Sequence, residues 1–460
     1  MRAAIVVDLG FGDAGKGLVT DWLTRSLGAT LVVRFNGGAQ AGHNVVTPGG
    51  RHHTFSQIGA GAFVPGVRTH LSADVVVHPT ALGVEAAHLA AAGVPDPLSR
   101  VSASERALVV TPFHQAANRL REIARGAARH GSCGAGVGEA VADAEAGPAG
   151  ALRLGDLRDG PRTRVALRRL QEKKRGELAA VVAAARGEPG AEAEIRLLDD
   201  DGVASRWQEA AAAVAARIEV VSDAWLDDAL AAAPAVVFEG AQGVLLDEDA
   251  GFHPHTTYST CTFANALALL HAHAGEIARV GVLRTYLVRH GAGPLPTEDG
   301  ALAALLPEPH NEDGPWQGRV RRGWPDPLLV RYAAEVCGGL DALALTHLDA
   351  LGRVPGWQVC RAYRLAEPAP ELFATDPGDA RMARAILAPP GSDLERQAAL
   401  GVALGGASPV YAPAAWGGDG GVESAVAFFE EAAGAPVRLA SCGPSASQVR
   451  ARGRLFPSRR

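Results

Sequence analysis

The sequence predicts an α/β fold, with a P-loop-like, mostly parallel central sheet and an inserted helical subdomain. Short apolar segments recur along the chain, and helical patterns lie between many of them. A glycine-rich turn joins the first of these segments to a helix. One long stretch is rich in Ala, Arg and Glu and has a helical pattern instead of strands. These observations together favour a sheet domain interrupted by helices.

The first elements are a strand, a turn, a helix and a second strand. Ala3–Leu9 is apolar and rich in β-branched residues, which is typical of a buried strand. Gly10–Gly17 forms the turn, and apolar residues then recur at helical spacing until Gly28, a typical C-cap residue. Leu31–Phe35 is the second strand. This order predicts a parallel pair of strands joined by a crossover helix.

Later segments extend the sheet. Strands are predicted at Val75–Val77, Ala235–Phe238, Val280–Leu287, Ala342–Thr346, Val359–Tyr363 and Val437–Ala440. We expect one domain over residues 1–460, with a helical insert at 104–228.

Composition limits the class of protein. The 460 residues are 47% hydrophobic and 20% charged, which is ordinary for a globular chain. A net charge of -6 argues against a nucleic-acid partner. The five cysteines are far apart and form no C-x-x-C motif, so we do not expect a disulfide framework. We expect the protein to reside in the reducing cytoplasm. The N-terminal apolar stretch is short and interpreted as a strand, and no run is long enough for a membrane span.

The glycine-rich turn fits the pattern G-x-x-x-x-G-K between a strand and a helix. In that context, glycines let backbone N–H groups converge on phosphate oxygens, and Lys16 adds a positive charge. Gly17 stands where a hydroxyl residue usually contacts Mg²⁺, and Asp13 is a possible replacement ligand. The alternative is an ordinary tight turn in which Asp13 caps the helix.

A second loop, Asn36–Asn44, follows the second strand and should emerge at the same edge of the sheet. His43 would then face the phosphates, where an imidazole can act as a general acid or stabilise developing charge. The alternative is a structural loop histidine.

These two loops, GFGDAGKG and RFNGGAQAGHN, resemble the opening of adenylosuccinate synthetases. Further blocks continue the resemblance in the same order: Phe238–Asp247, Arg289–Glu298, Gly318–Trp324, Thr346–Asp349 and Ser441–Pro444. The resemblance implies a homodimeric ligase that uses GTP and Mg²⁺ to join inosine monophosphate to aspartate.

The resemblance also implies roles for individual residues. Asp13 would take a proton from the purine ring and contact Mg²⁺, together with the carbonyl of Gly42. His43 would act as the general acid in γ-phosphate transfer to the purine 6-oxygen, and Gln242 would orient the purine. A proton acceptor, an acid, a metal and an aligned triphosphate are what this chemistry requires.

The resemblance also implies two sets of binding residues, one for the nucleotide and one for the substrate. Within the nucleotide set, Asp349 is expected to select guanine. The implied nucleotide-binding residues are Gly12, Gly15, Lys16, Gly17, Gly42, Asn44, Arg321, His347, Asp349, Ser441 and Gly443. The implied substrate-binding residues are Gln40, Ser132, Cys133, Gln242, Thr257 and Arg319.

The chain departs from the family in its substrate pockets. Ala135 replaces the arginine that holds the amino acid, and Cys133 and Gln40 replace two residues that contact the 5′-phosphate. The arginine that reaches this phosphate from the partner subunit has no equivalent near Gly150. The remaining changes are Trp316 and Gln317 for two threonines and His347 for a lysine.

Each lost arginine removes a charge-assisted contact of about 1.5–3 kcal/mol. The sequence therefore favours a paralogue with a different acceptor or amine donor over an ordinary family member. A P-loop kinase or NTPase that only transfers phosphate is a further alternative, opposed by Gln242 and by the loop that carries Arg319 and Arg321. A nucleotide-binding regulator without catalysis is another, opposed by the presence of Asp13, Lys16 and His43 together.

Overall fold

A ten-stranded sheet forms the centre of the molecule. The computed structural model describes residues 1–147, 151–273, 275–309, 311, 313–314 and 316–457. In spatial order the strands are β20 (Val449–Ala451), β19 (Val437–Ser441), β14 (Ala342–Thr346), β11 (Glu276–Arg284), β1 (Arg2–Asp8), β10 (Ala235–Glu239), β2 (Leu31–Arg34), β5 (Arg68–Leu71), β7 (Val101–Ser104) and β9 (Glu219–Val221). Nine strands are parallel and β20 alone is antiparallel. The predicted α/β class with a mostly parallel sheet is confirmed.

The first crossover forms as predicted, but its two strands are not neighbours. Helix α1 (Lys16–Leu27) connects β1 to β2 and ends at Gly28, which has the left-handed φ of 62° expected of a C-cap glycine. Strand β10 lies between β1 and β2 and pairs with both. The predicted adjacent pair was therefore wrong, because a strand some 200 residues later occupies the position between them.

Three other strand predictions need correction. Val76–Val77 (β6) belongs to a small separate sheet with β8 (Leu108–Val109). The predicted strand Val280–Leu287 is divided, because β11 ends at Arg284 and β12 (Leu287–His290) turns away to pair with β13 (Val320–Gly323).

The segment predicted at Val359–Tyr363 lies in a four-stranded antiparallel sheet outside the central one. Its strands are β15 (Trp357–Arg364), β16 (Phe373–Asp376), β17 (Asp379–Ile386) and β18 (Ser408–Ala414). One antiparallel pair, β3 (His43–Val46) with β4 (His52–Phe55), completes the strands and places His43 at its start.

Helices cover the sheet and fill most of the predicted insert. Beyond α1 they are α2 (Pro79–Ala91), α3 (Pro112–Arg125), α4 (Val137–Glu145), α5 (Gly160–Glu177), α6 (Ala179–Ala185), α7 (Ala191–Asp199), α8 (Val203–Ala215), α9 (Asp223–Ala232), α10 (Ala264–Leu269), α11 (Leu302–Leu305), α12 (Pro327–Val336), α13 (Leu394–Gly405) and α14 (Gly421–Ala433). Helices α3 and α5 to α8 share one apolar core with α2, β5 and β7. Val137 and Ala140 of α4 instead pack in a small separate cluster with Val76 and Val110. The limits 104–228 of the insert stay a prediction.

The described helices have no stretch that is both long and apolar enough to cross a membrane.

Candidate active site

The carboxyl ends of the central strands carry the loops that form the site. The turn after β1 uses left-handed backbone at Gly12 (φ 95°), Asp13 (φ 60°) and Gly15 (φ 96°). Asp13 is the unusual member, since left-handed backbone is costly for residues other than glycine. The turn also touches the neighbouring strand β14, because the Thr346 hydroxyl donates to the carbonyl of Ala14 at 2.7 Å.

The absence of a side chain at Gly17 allows the second loop to lie close to the first. A Cβ built on Gly17 would lie 2.9 Å from the Asn44 carbonyl oxygen and 3.0 Å from the His43 Cβ. A serine or threonine would clash there, so the missing hydroxyl is the condition for the close approach of His43.

A buried carboxylate supports the glycine-rich turn from beneath. Asp8, at the end of β1, accepts hydrogen bonds from the backbone N–H groups of Gly10 (2.8 Å), Gly12 (3.3 Å) and Ala14 (2.9 Å). It also pairs with the Lys16 ammonium at 3.0 Å. The turn is thus shaped by an anion of the chain itself before any ligand arrives. No motif in the sequence marks Asp8 as a site residue.

Asp13 is held on one oxygen by two residues that the sequence analysis missed. Its Oδ2 lies 3.2 Å from His290 Nε2 and accepts from Asn311 Nδ2 at 3.1 Å. His290 Nε2 also contacts Asn311 Oδ1 at 2.6 Å, which closes a three-membered cluster. Burial alone would raise the pKa of Asp13. The hydrogen bond and charge of His290, with the positive charges of Lys16 and Arg284, instead lower it to about 2.

His43 is oriented by Glu239, at the end of β10. His43 Nδ1 lies 2.6 Å from Glu239 Oε1, and Glu239 Oε2 accepts from the Ala60 N–H at 2.9 Å. Burial lowers the pKa of His43 to about 4, although Glu239 opposes that shift. Burial would raise the pKa of Glu239, but His43 and Arg34 lower it below its ordinary value. Ionised Glu239 therefore accepts from Nδ1–H, which leaves Nε2 for a ligand. Glu239 stood within a motif of the resemblance but had been given no role.

One cavity of about 560 Å³ brings most of the predicted residues together. Those that line it are Gly12, Asp13, Lys16, Gln40, Gly42, His43, Ser132, Cys133, Gln242 and Thr257. His290 also lines it. Gln242 has left-handed backbone (φ 56°), and its buried Oε1 has no hydrogen-bond partner among the described residues. Ser132 Oγ donates to Asn118 Oδ1 at 2.7 Å, and burial raises the pKa of the Cys133 thiol, so that thiol is neutral.

Several predicted residues lie outside that cavity. Gly15 approaches the side chain of Thr346, and Asn44 Oδ1 accepts from the Thr54 hydroxyl at 2.7 Å. Arg319 is 75% exposed and lies 3.5 Å from Glu298, which also pairs with Arg321 at 2.8 Å. The position near Gly150 lies outside the described residues.

The residues assigned to the nucleotide base lie together at the ends of the neighbouring strands β14 and β19. His347 has left-handed backbone (φ 58°), and its Nδ1 lies 2.7 Å from the Thr346 hydroxyl. Asp349 pairs with Arg353 at 3.1 Å. Ser441 Oγ donates to the Gly443 carbonyl at 2.7 Å. Burial lowers the pKa of His347 well below its ordinary value, so this ring is neutral.

Comparisons with known proteins agree on one family. Residues 5–387 match the family model described as adenylosuccinate synthetase. The adenylosuccinate synthetase of Myxococcus xanthus is 34% identical over 372 residues, covering 79% of this chain and 81% of that protein. That of Symbiobacterium thermophilum is 36% identical over 376 residues, covering 80% and 82%.

Two solved structures share the fold. The fully ligated adenylosuccinate synthetase of Plasmodium falciparum superposes with a TM-score of 0.76 at 21% identity, covering 98% of this chain and 99% of that one. The succinoaminodeoxyadenylate synthetase of cyanophage S-2L, bound to dGMP and to dATP as an energy donor, gives a TM-score of 0.54 at 17% identity, covering 98% and 95%.

Proposed function

The chain belongs to the adenylosuccinate synthetase family of GTP-dependent ligases, and we propose that it activates the 6-oxygen of a purine-type acceptor for replacement by an amine. In the first step the acceptor oxygen bonds to the γ-phosphorus while the bond to the β–γ bridging oxygen breaks and GDP leaves. In the second step an amine nitrogen bonds to the purine carbon and inorganic phosphate leaves. The observation that carries the proposal is that Asp13, Lys16, His43 and Gln242 line one cavity.

Asp13 is the proposed proton acceptor for the purine ring N–H. Its Oδ2 is held by His290 and Asn311, so Oδ1 is the oxygen left for chemistry among the described contacts. A carboxylate with a pKa of about 2 is a weak base. It therefore stays ionised at neutral pH and can accept the hydrogen bond of the ring N–H as the purine oxygen becomes the nucleophile.

His43 is the proposed general acid. Glu239 holds its Nδ1–H, so a proton gained at Nε2 creates an imidazolium that is stabilised by the adjacent carboxylate. Such an imidazolium donates to the phosphoryl oxygens as negative charge develops on them.

A Mg²⁺ ion fits the oxygen atoms at this place. Asp13 and Gly42 both line the cavity. Magnesium prefers hard oxygen ligands completed by phosphate oxygens and water, so the Asp13 carboxylate and the Gly42 carbonyl would hold it. When bound, the ion supplies positive charge that offsets the charge of the transferring phosphate.

The donor side of the pocket supports a paralogue with altered substrates. Trp316 packs on the loop that carries Ala135, since a Cβ on Gly134 would lie 2.9 Å from the indole Cδ1. The Arg119 guanidinium lies 5.5 Å from the centre of that indole ring. A large aromatic side chain, packed on Gly134 and Arg119, therefore stands where the resemblance implies a small hydroxyl residue. We propose that the amine donor, the acceptor or both differ from aspartate and inosine monophosphate. Arg319 and Arg321 remain the proposed contacts to the donor and the nucleotides.

Guanine recognition is proposed for the β14–β19 edge. Asp349 would accept from the ring N–H and amino group of guanine, with His347, Ser441 and Gly443 beside the base. Because Asp349 already pairs with Arg353, base binding must share or displace that ion pair. The proposal further includes a cytoplasmic homodimer, which size-exclusion chromatography with light scattering tests.

The experiment that tests the proposed function identifies the reaction products by their mass. Purified protein is incubated with GTP, Mg²⁺ and a panel of hydroxypurine compounds and amino acids, and the mixture is examined by mass spectrometry. A nitrogen-linked adduct formed with GDP supports the ligase. A phosphoester alone would favour the kinase alternative, and no GTP turnover with any pair would favour a regulator.

A further inference from the structure

The N-terminus of a helix lines the same cavity as the glycine-rich turn. Helix α4 begins at Val137, and its N-cap, Gly136, provides no side-chain hydrogen bond to the first turn. Gly136, Val137, Gly138 and Glu139 all line the cavity. An open helix N-terminus attracts anions, because unpaired N–H groups and the helix dipole both favour negative charge. Such a position would suit the phosphate group of a nucleotide acceptor.

The ring of Tyr258 covers this helix end. A Cβ on Gly138 would lie only 2.5 Å from Tyr258 Cδ2 and 2.8 Å from Cε2, so the ring rests against the first turn. Tyr258 lines the same cavity and is 52% exposed. The ring therefore occupies space that an anion would need in order to reach the N–H groups.

The same turn already carries a negative charge. Glu139 places Oε1 2.9 Å from Arg121 Nε and Oε2 3.2 Å from Lys174 Nζ. Lys174 also contacts Asp143 at 2.9 Å. Arg121 and Lys174, the two basic side chains that contact Glu139, are thus engaged by carboxylates of the chain.

A second carboxylate on this wall has no basic partner. Glu248 lines the cavity and accepts from the Thr260 hydroxyl at 2.8 Å, and no Lys or Arg forms an ion pair with it in the described part of the chain. Burial raises the pKa of Glu248 above its ordinary value, and the negative charges of Asp249, Asp247 and Glu145 raise it further. The surroundings of Glu248 are therefore unfavourable for an additional anion.

We call the part of the cavity lined by Gln40, Cys133, Gly138, Glu139, Glu248 and Tyr258 the acceptor lobe. We propose that this lobe accepts a purine-type compound without a phosphate group, such as a nucleoside, and excludes the corresponding nucleotide. The inference rests on the proposed function and specifies its substrate class. A phosphate carries a charge of about −1.5 to −2 at neutral pH, so it requires basic partners or open N–H groups. Among the described residues, the arginines that line the cavity are already engaged: Arg121 pairs with Glu139, Arg125 pairs with Glu122, and Arg289 donates to backbone carbonyls. Tyr258 covers the N–H groups at the start of α4.

Direct binding tests the inference on the full chain. Inosine and inosine 5′-monophosphate are titrated calorimetrically into protein saturated with GDP and Mg²⁺. We expect inosine to bind at least about tenfold more tightly, the ratio that one unfavourable charge contact produces. Equal or tighter binding of the monophosphate overturns the inference, and so does the failure of both compounds to bind.

Two substitutions should reduce or remove the preference for inosine. Glu139→Gln removes the charge from the helix end, and Tyr258→Ser uncovers it. The double variant should bind the monophosphate about tenfold more tightly than the wild type does. Glu188→Gln, at an exposed position outside the cavity, is the matched control and should change neither affinity. An unchanged monophosphate affinity in a folded double variant contradicts the inference.

The outcome separates this inference from the proposed function. Binding ratios report on the acceptor lobe alone, whereas GTP-dependent formation of a nitrogen-linked adduct reports on the ligase. Tight inosine binding without any adduct would leave the lobe assignment standing and remove the ligase. Adduct formation only from the monophosphate would do the opposite.

Discussion

Replacing Glu239 by glutamine tests whether His43 works through its carboxylate partner. The two oxygens of Glu239 face different groups, His43 Nδ1 at 2.6 Å and the Ala60 N–H at 2.9 Å. In Glu239→Gln the Ala60 N–H fixes the amide, because only the amide oxygen can accept from it. The NH₂ group must then point at His43 Nδ1, so Nδ1 becomes the acceptor and the ring carries its proton on Nε2.

The magnitude follows from the lost charge. Glu239 stabilises an imidazolium through a charge-assisted hydrogen bond worth about 1.5–3 kcal/mol, and the glutamine NH₂ group would face the imidazolium as a second donor. A loss of about 2.7 kcal/mol in the transition state corresponds to a fall in kcat of about 100-fold. GTP affinity should stay near the wild-type value, since Glu239 does not line the cavity.

The assay follows acceptor-dependent GDP release at saturating substrates, with GTP affinity measured separately by calorimetry. Glu423→Gln, which breaks an exposed ion pair with Arg452, serves as the matched control. Thermal unfolding confirms that both variants fold. A Glu239→Gln enzyme that binds GTP normally and keeps kcat within about threefold of the wild type would refute the coupling.

Three further predictions concern the cavity and the proposed guanine site. His290→Leu removes the donor to Asp13 and should lower kcat by about tenfold or more, with the KM for GTP unchanged. His290→Gln restores a donor and should regain part of the rate. Equal rates in the two variants would contradict the role of His290 in holding Asp13. Asp13→Ala or His43→Ala should abolish turnover while circular dichroism shows an intact fold, and wild-type-like rates would remove the assigned role. Asp349→Asn should reduce the preference for GTP over ATP by about tenfold or more, measured as the ratio of kcat/KM values, and equal use of both nucleotides by the wild type would argue against Asp349 as the guanine ligand.

The parts of the fold that the sequence predicts are those with strong local patterns. Strand β1, the glycine-rich turn and helix α1 follow one another within 27 residues and each has its own pattern. Strands β5 and β7, with the sequences RTHL and VSAS, lack an apolar run and were not predicted. Their strand conformation depends on neighbours in the sheet, which a local pattern cannot contain. The position of β10 between β1 and β2 likewise depends on contacts between residues that are far apart in the sequence.

The residues of the site likewise fall into those that a local pattern predicts and those that only long-range contacts bring together. Asp13, Lys16 and His43 stand in short motifs whose residue types already indicate phosphate chemistry. Their partners come from distant positions, since Glu239 is 196 residues from His43 and Asn311 is 298 residues from Asp13. Asp8 is close in sequence to the glycine-rich turn. However, an acidic residue at the end of an apolar strand has no pattern that shows whether its carboxylate accepts hydrogen bonds from the backbone of the turn. Only the folded chain reveals which side chain orients which.

The partners also explain how the site would respond to its nucleotide. His290 is the main group that lowers the pKa of Asp13, and burial is the main cause that lowers the pKa of His43. Lys16 lowers both pKa values, with Arg284 acting at Asp13 and Arg34 at His43. At neutral pH the free protein therefore holds an ionised carboxylate, as a proton acceptor requires, and an imidazole that lacks its acidic proton. The negative charge of a bound triphosphate offsets Lys16 and Arg34 and raises the pKa of His43, toward the protonated ring that the proposed first step requires. Catalytic competence would then depend on the charge of the phosphoryl donor as well as on its position, because the general acid becomes effective only when there is a phosphate to transfer.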